Sequence, residues 1–219
     1  MKLTLASYKA IEYACKNFHY AKSVPVNVLG FNVYNDKDEW CGVIAYGSGA
    51  NPNLGKEFNL EQGKIFELVR VALNGKQEQT SKALSMSLKM IKQHLPLCEL
   101  IVSYADLDQN HLGILYQATN WYYVGISNEN TRDGCWIINN KKIHSRSIGR
   151  IVKKYGGLKG LTREQFVKKY LDKNAIEFTA KGKIKYLYPL NKRMRKTCEK
   201  IKKNYPKEQC PQKKINIPQ

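Results

Sequence analysis

The stretch that decides the fold is KIFELVRVALNGKQEQTSKALSMSLKMIKQHLPLCELIVSYAD, residues 64–106. Residues 64–73 are mostly apolar, which predicts a buried strand. Thr80 and Ser81 precede apolar residues at helical spacing, which predicts a helix capped by these hydroxyls and reaching Leu95. Residues 97–106 predict a second short buried strand. Strand, polar loop, helix and strand therefore follow one another at the centre of the chain.

The flanking segments extend this pattern into one sheet. Residues 4–18 have apolar side chains at helical spacing and predict a helix that ends before Pro25. Residues 26–34 and 40–49 flank a polar turn and predict an antiparallel hairpin. After the central stretch, 111–120 predict a short helix, and WYYVGI (121–126) and CWIINN (135–140) predict strands. The order indicates an α/β or α+β fold, with a mixed sheet and helices on its faces.

Composition excludes several classes of protein. The chain has 219 residues, 42% of them hydrophobic, which suits a compact domain with or without an appendage. No apolar run approaches the roughly 18 residues that a membrane span needs, and the first 20 residues lack the pattern of a signal peptide. The six cysteines form no C-x-x-C pair, so we expect neither a zinc knuckle nor a disulfide framework, but reduced thiols in a cytoplasmic protein.

The positive charge is concentrated in the second part of the chain. Residues 1–140 hold 13 basic and 13 acidic side chains, whereas residues 141–219 hold 24 basic and 5 acidic ones. We therefore predict a core over 1–140, a basic extension over 141–205 that packs on it, and a disordered tail over 206–219. Self-repulsion in such a segment costs stability that a polyanion offsets, which favours nucleic acid as partner. The alternative is a basic tail that serves only solubility.

Within the extension, TREQFVKKYL (162–171) predicts a helix, KIKYLYPL (183–190) a basic strand, and residues 192–205 a helix with basic polar positions. Six of the lysines and arginines in the last two elements are the predicted contacts to the DNA backbone. They are Lys183, Lys185, Lys192, Arg193, Arg195 and Lys196.

The order of elements resembles that of the GNAT superfamily of acyltransferases. In that architecture a central strand leads into a helix whose N-terminal amides hold a cofactor pyrophosphate. The matching loop here is residues 74–82, which makes Thr80, Ser81 and Lys82 candidate cofactor ligands and acetyl-CoA a candidate donor. The loop has one glycine where the superfamily usually has several. An ordinary capped helix would explain the same residues without a ligand.

Five blocks together resemble the Mom family of phage DNA-modification enzymes. They are FHY (18–20), ELVRVAL (67–73), TSKAL (80–84), SYAD (103–106) and, as the strongest, GILYQATNWYYVG (113–125). The resemblance spans roughly residues 4–190. It implies a GNAT-like fold and an enzyme that places a carbamoylmethyl group on the exocyclic amine of adenine in double-stranded DNA, which masks restriction sites. It also implies action in the cytoplasm of the host cell.

The same resemblance assigns site residues. His19, Tyr20, Asp106 and Tyr116 fall on positions implied in catalysis, and Arg70 and Ser81 on positions implied in activity or cofactor binding. His19 suits a general base because an unperturbed histidine has a pKa of about 6.5. It equally suits an ordinary histidine at a helix end. Asp106 could orient His19 or accept a proton from adenine, or it could simply cap the following helix.

Arg70, Tyr116 and Tyr20 each have a functional and a structural interpretation. Arg70 stands in an apolar strand, where a guanidinium needs an anion: a phosphate, or a core carboxylate such as Glu67 or Asp106. Tyr116 could protonate a leaving group or clamp the donor, or it could be a core residue. Tyr20 could stack on an extruded base, as could Tyr46 and Trp121, although the chain has 14 tyrosines.

The four histidines lack the spacing of a metal motif, so the sequence predicts no metal site, while an iron site assembled in space from His19 and Asp106 stays open. A carbamoylmethyl group is attached to nitrogen through an alkyl carbon, which acetyl transfer alone does not produce. The donor could therefore be acetyl-CoA with further redox steps, or a glycine-derived carrier. Two alternative functions also remain: a GNAT acyltransferase acting on another amine, and a nucleic-acid-binding protein without activity.

Overall fold

The computed structural model describes residues 1–49, 51–127, 135–178 and 182–205. The elements in chain order are β1 (Lys2–Leu5), α1 (Tyr8–Phe18), β2 (Val28–Tyr34), β3 (Trp40–Gly47), β4 (Ile65–Leu73), α2 (Thr80–His94), β5 (Leu100–Asp106), α3 (Ile114–Gln117), β6 (Tyr122–Ser127), β7 (Cys135–Ile138), β8 (Lys141–Ile143), α4 (Ser145–Lys154), α5 (Arg163–Tyr170), β9 (Ile176–Phe178), β10 (Lys183–Pro189) and α6 (Lys192–Ile201). Two short 3-10 turns lie at Lys56–Phe58 and Leu107–Gln109.

Seven strands form the main sheet in the order β1-β2-β3-β4-β5-β10-β6. The first four are antiparallel neighbours, and β4 pairs in parallel with β5. A parallel neighbour requires a crossover, which α2 supplies between β4 and β5. The mixed sheet flanked by helices that the sequence predicts is confirmed.

Successive side chains of β3 face opposite sides of the sheet, and a helix covers each side. On one side Val43 and Ala45 pack with Ile11 and Ala14 of α1. On the other side the Tyr46 hydroxyl lies 2.6 Å from the Ser87 hydroxyl of α2. Burial of the apolar stripes of α1 and α2 on a shared sheet is what fixes both helices.

The chain divides into two compact units. The first unit comprises Met1–Ala105, His111–Gly125 and the chain from Ile184, and the second comprises Asp106–Asn110 and Ile126–Lys183. We call them the core unit and the basic unit. The boundary that the sequence predicts lies after residue 140. In the structure residues 126–140 belong to the basic unit, and β10 and α6 belong to the core unit. The predicted tail, 206–219, lies outside the described residues.

The basic unit has its own small core. Its three strands are ordered β8-β7-β9, with both neighbours antiparallel to β7. Trp136 and Ile138 of β7 are buried against Ile148 of α4 and Val167 of α5. A tryptophan that is 1% exposed contributes much of the apolar area that a unit of this size needs.

The predicted hairpin, central strands and longer helices are confirmed, whereas four elements were missed. They are β1, β8, α4 and β9. The prediction that Thr80 and Ser81 cap α2 is also wrong: the N-cap residue is Gln79, and its side chain makes no capping bond. Five of the six cysteines are described, and all five are buried free thiols. Within the described residues no helix is long and apolar enough to span a membrane.

Candidate functional site

The two central parallel strands separate towards their carboxyl ends. The pairing of β4 with β5 covers residues 65–67 and 100–102, although both strands continue. Beyond it the Ser103 hydroxyl, 3.1 Å from the Leu68 carbonyl, bridges the strands. Ligands of open α/β sheets bind at such carboxyl ends, because backbone groups and side chains from two strands converge there.

His19 and Tyr20 lie at the C-terminal end of α1. His19 is the C-cap residue, and its Nδ1 accepts a hydrogen bond of 3.1 Å from the backbone N–H of Ala21. The His19 and Tyr20 rings are 4.4 Å apart between centroids, and Tyr20 meets His111 edge-on at 5.3 Å. Because Nδ1 accepts, a neutral His19 carries its proton on Nε2 and presents an N–H donor there.

The surroundings of His19 disfavour its protonation. Burial lowers its pKa from 6.5 to about 4, and the positive charge of Arg70, then His111 and Lys22, lowers it in the same direction. The expectation of an unperturbed pKa is therefore wrong. At neutral pH this side chain is neutral and a weak base, and it suits hydrogen bonding better than proton storage.

Arg70 ties β4 to the segment that follows α1. Its Nη2 lies 3.1 Å from the Ser23 hydroxyl and 3.3 Å from the Ser23 carbonyl, and its Nη1 lies 2.6 Å from its neighbour's carbonyl at Val69. None of these acceptors is a carboxylate, and pairing with a core carboxylate such as Glu67 or Asp106 stays a prediction. The guanidinium keeps its full positive charge beside His19, and its pairing with a phosphate stays a prediction.

Sequence reasoning missed His111. It lies two residues before the strongest block of the family resemblance, but no spacing in the sequence connects it with residues 19 and 20. The structure brings it to the Tyr20 ring from the turn before α3. Its position was not predictable, because only the folded sheet places these distant segments together.

Tyr116 lies in a packed aromatic cluster. Its ring is 4.8 Å from Tyr186 and 5.2 Å from Trp121 between centroids, and its hydroxyl is 2.8 Å from the Ser103 hydroxyl. Burial raises its pKa, so the phenol stays protonated. These contacts favour the interpretation of Tyr116 as a core residue that holds Ser103 between the separating strands. A direct role in catalysis stays a prediction.

The start of α2 fits an anionic group. The N-cap Gln79 leaves the first-turn amides without a side-chain cap, and the first turn has no acidic residue. The Thr80 hydroxyl accepts a hydrogen bond of 2.9 Å from Gln77, whose amide oxygen is buried without a partner in the described structure. Thr80, Ser81 and Lys82 therefore provide amides, a hydroxyl and a cation of the kind a pyrophosphate requires.

Asp106 belongs to the basic unit, whereas His19 belongs to the core unit. Asp106 caps the 3-10 turn that follows it, accepting a bond of 3.0 Å from the Asp108 backbone, and its carboxylate lies 3.9 Å from Lys183 Nζ. The capping alternative is thus present in the structure. The predicted pairing of His19 with Asp106 stays a prediction. Within the described ranges no three His, Cys, Asp or Glu residues are grouped closely enough to hold a metal.

The six predicted DNA contacts fall into two groups. Lys183 lies near Asp106, Lys185 pairs with Glu57 and is largely buried, and Arg193 is 2.7 Å from Glu99. Lys192, Arg195 and Lys196 instead line an open groove along α6 with Glu199 and Lys200, and they form no ion pair within the described residues. Lys183 and Arg193 are nevertheless 54% and 55% exposed, so only Lys185 is largely inaccessible, and contact of these residues with DNA stays a prediction.

Comparison with known proteins gives one family and several distant folds. The model of the Mom protein family matches residues 3–207. The methylcarbamoylase Mom of Escherichia phage Mu is 31% identical over 188 residues, which are 81% of this chain and 70% of that protein. A mutant of the spermidine N-acetyltransferase SpeG of Vibrio cholerae is 8% identical, covers 90% of this chain and 99% of its own, and has a TM-score of 0.49. A Bacillus subtilis acetyltransferase in complex with CoA is 10% identical, covers 87% and 99%, and has a TM-score of 0.46.

Proposed function

The chain belongs to the Mom protein family, and from this premise we propose that it is a transferase that modifies adenine in DNA. The proposed product carries a carbamoylmethyl group on the exocyclic amine of the base. The observation that carries the proposal is the 31% identity, over 81% of the chain, to a methylcarbamoylase of a phage. By the same family argument, the protein acts on DNA in the cytoplasm of a host cell and protects that DNA from restriction.

The end of α1 is the proposed substrate site. Tyr20 is 49% exposed, so its ring is available for stacking on a base. His19 is neutral at neutral pH and directs its Nε2 proton outward from the Ala21 contact, which suits orientation of a base through a hydrogen bond. Arg70 and His111 fix the electrostatic setting of these two rings.

The chemistry requires that the exocyclic nitrogen form a bond to the alkyl carbon of the donor. The bond from that carbon to the donor's leaving group then breaks, the leaving group takes its electron pair, and a proton leaves the nitrogen. Asp106 is the proposed acceptor of this proton, because the family resemblance assigns it a catalytic position and a carboxylate can accept a proton. His19 is a weak base at neutral pH, so a separate role is proposed for it, orientation of the amine. Tyr116 keeps its proton and positions Ser103, rather than contacting the donor.

The N-terminus of α2 is the proposed site for the anionic part of an activated donor. Such a donor would supply an electrophilic alkyl carbon, as a glycine-derived carrier would. An acyl-CoA thioester alone would not, because its electrophilic carbon is the carbonyl carbon. The uncapped first-turn amides together with Ser81 and Lys82 support this placement, because they offer donors and positive charge without a nearby acidic side chain. Arg70 supports it only through its charge, since its hydrogen bonds go to the protein.

The decisive measurement is mass analysis of nucleosides from the DNA of cells that express the protein. We expect deoxyadenosine with the mass of an added carbamoylmethyl group, and its loss in the variants Asp106→Asn and His19→Ala. Circular dichroism and duplex affinity of both variants should stay close to those of the parent protein. Unmodified DNA together with acylated RNA or protein would instead support an acyltransferase acting on another amine.

A further inference from the structure

The exposed face of α4 carries a row of positive charge. Its exposed basic residues are Arg146, Arg150, Lys153 and Lys154, which we call the α4 basic face. Their spacing of four, seven and eight residues from the first puts all four on one side of the helix. The opposite side is apolar, with Ile148 completely buried against Trp136 and Val167. The helix is therefore anchored on one side and charged on the other.

Nothing in the surrounding sequence neutralises this charge. Residues 135–163 include eight Lys or Arg and no Asp or Glu. None of the four side chains of the α4 basic face forms an ion pair with any described residue. Like charges four residues apart destabilise a helix, and Arg146 in the first turn also opposes the helix dipole. Lys153 and Lys154 lie in the last turn, where the dipole favours them, so the destabilising contributions come from Arg146 and from the like-charge pairs 146/150 and 150/154.

In the neighbouring helix α5, by contrast, two of the positive charges have partners. Its N-terminus has a complete capping box between Thr162 and Gln165. Lys168 pairs with Glu164 at 2.6 Å, and Lys169 lies over the Tyr170 ring at 5.4 Å. Both helices are amphipathic parts of the same unit, yet α5 satisfies these charges internally. Lys168 and Lys169 of α5 are thus compensated within their own helix, whereas the four charges of the α4 basic face are not.

The approach to this face is open within the basic unit. A side chain added at Gly149, Gly156 or Gly157 would meet no atom within 4 Å. Two of these glycines end the helix: the Gly157 N–H bonds the Val152 carbonyl at 2.9 Å, with Gly156 in the left-handed region. The described structure thus leaves space beside the charged row at Gly149 and beyond its end at Gly156 and Gly157.

We propose that the α4 basic face is a second DNA-binding surface that grips the phosphates of a DNA duplex. Residues 146–154 span about 12 Å of helix, which is about the width of the major groove of B-DNA. Arginine and lysine without neighbouring carboxylates suit backbone phosphates, and such contacts position a protein without reading sequence. The choice of duplex DNA among polyanions rests on the proposed function.

The test compares two variants of the full chain with equal net charge. Arg146→Gln/Arg150→Gln removes two charges from the α4 basic face, and the control Arg163→Gln/Lys173→Gln removes two exposed charges elsewhere in the basic unit. Affinity for a short fluorescent duplex is measured by anisotropy over a range of salt. Each lost phosphate contact lowers the slope of log K against log salt by about 0.9. We expect a decrease of about 1.8 with several-fold weaker binding for the first variant, and almost no change for the control.

Three results would overturn the proposal: equal losses in both variants, no loss in the first, or a loss for single-stranded RNA of equal length without a loss for duplex DNA. Arg146→Lys/Arg150→Lys keeps the charge and should keep the slope, which separates charge from a damaged helix. The mass analysis of nucleosides is independent of this result. A weakened duplex affinity without any modified adenine would refute the proposed function and leave the α4 surface standing.

Discussion

His19 shows how burial changes the chemistry that a residue type suggests. The family resemblance implied a base, and a solvated histidine would titrate near neutrality. In the fold, burial and the charge of Arg70 hold its pKa near 4, so the neutral ring becomes a hydrogen-bonding group. The residue was predictable from the sequence, but its protonation state was not, because Arg70 is distant in sequence and reaches it only through β4.

This shift predicts a pH dependence of stability. The unfolded chain binds a proton at His19 below pH 6.5, whereas the folded chain binds it only below about pH 4. The contribution of neutral His19 to the free energy of unfolding is therefore complete above pH 6.5 and is lost as pH falls towards 4, by at most about 1.4 kcal/mol per pH unit. Urea unfolding of the parent and of His19→Gln across this range measures the difference. Parallel curves for the two proteins would contradict the shift.

Gly113 and Gly75 both have a left-handed backbone, so the effects of an added side chain on stability can be compared between them. A Cβ on Gly113 would lie 2.2–2.5 Å from atoms of the buried Tyr186 ring, whereas one on Gly75 would meet nothing within 4 Å. Both substitutions cost about 1–2 kcal/mol for the backbone, and Gly113→Ala adds a clash of about 1–3 kcal/mol. Chemical denaturation should show the larger loss at residue 113. Equal losses would mean that the Tyr186 ring moves aside.

At the scale of elements, length and burial decided what could be predicted. The strands β2 to β5 and the helix α2 are long, and their apolar residues recur with one clear period. The strands β1, β8 and β9 have four residues or fewer, which is too short for a period to stand out. The helix α4 was missed because its apolar residues are few among arginines, lysines and glycine, so its burial depends on Trp136 from another element.

The helix α6 separates charge that anchors it to the core unit from charge that is proposed to bind DNA. Arg193 and Asn191 hold Glu99, whose pKa they lower, while Arg195 and Lys196 face the open groove. We expect Arg195→Gln/Lys196→Gln to lower the salt slope of DNA affinity by about 1.8 and to leave stability nearly unchanged. Arg193→Gln should cost about 0.5–1 kcal/mol of stability and little of the slope.

Salt-dependent anisotropy and urea unfolding of these variants measure both effects. Deletion of residues 190–219 would be a poorer test, because Met194 and Cys198 of α6 are buried in the core. Equal slopes for all three proteins would show that α6 is not a DNA contact.

At the scale of the molecule, the charge asymmetry in the sequence predicts a basic extension over residues 141–205, whereas the second compact unit of the structure comprises Asp106–Asn110 and Ile126–Lys183. β10 belongs to the main sheet and α6 packs on the same core, because β10 pairs with strands that are distant in sequence. No local periodicity in the sequence indicates such pairing. The candidate site, too, was predictable only in part. The blocks around residues 19, 70 and 116 were visible in the sequence, but the contact of His111 with Tyr20 required the assembled sheet.

The last prediction concerns how a base of a duplex reaches the site. The exocyclic amine of a paired adenine is engaged with thymine, so the base must leave the stack, at a cost of a few kcal/mol. Of the three aromatic residues that could recover this cost by stacking, Tyr46 is completely buried and Trp121 is 6% exposed, which leaves Tyr20 at 49%.

Stacking on an aromatic ring contributes about 1–3 kcal/mol per base. Tyr20→Ala should therefore slow the modification of duplex DNA by roughly 5- to 150-fold, as each 1.36 kcal/mol is a factor of ten. Tyr20→Phe, which keeps the ring, should retain the rate. Single-stranded DNA, which has no pairing to break, should lose less in the alanine variant than the duplex does. Rapid modification of free dATP without modification of duplex DNA would refute base extrusion altogether.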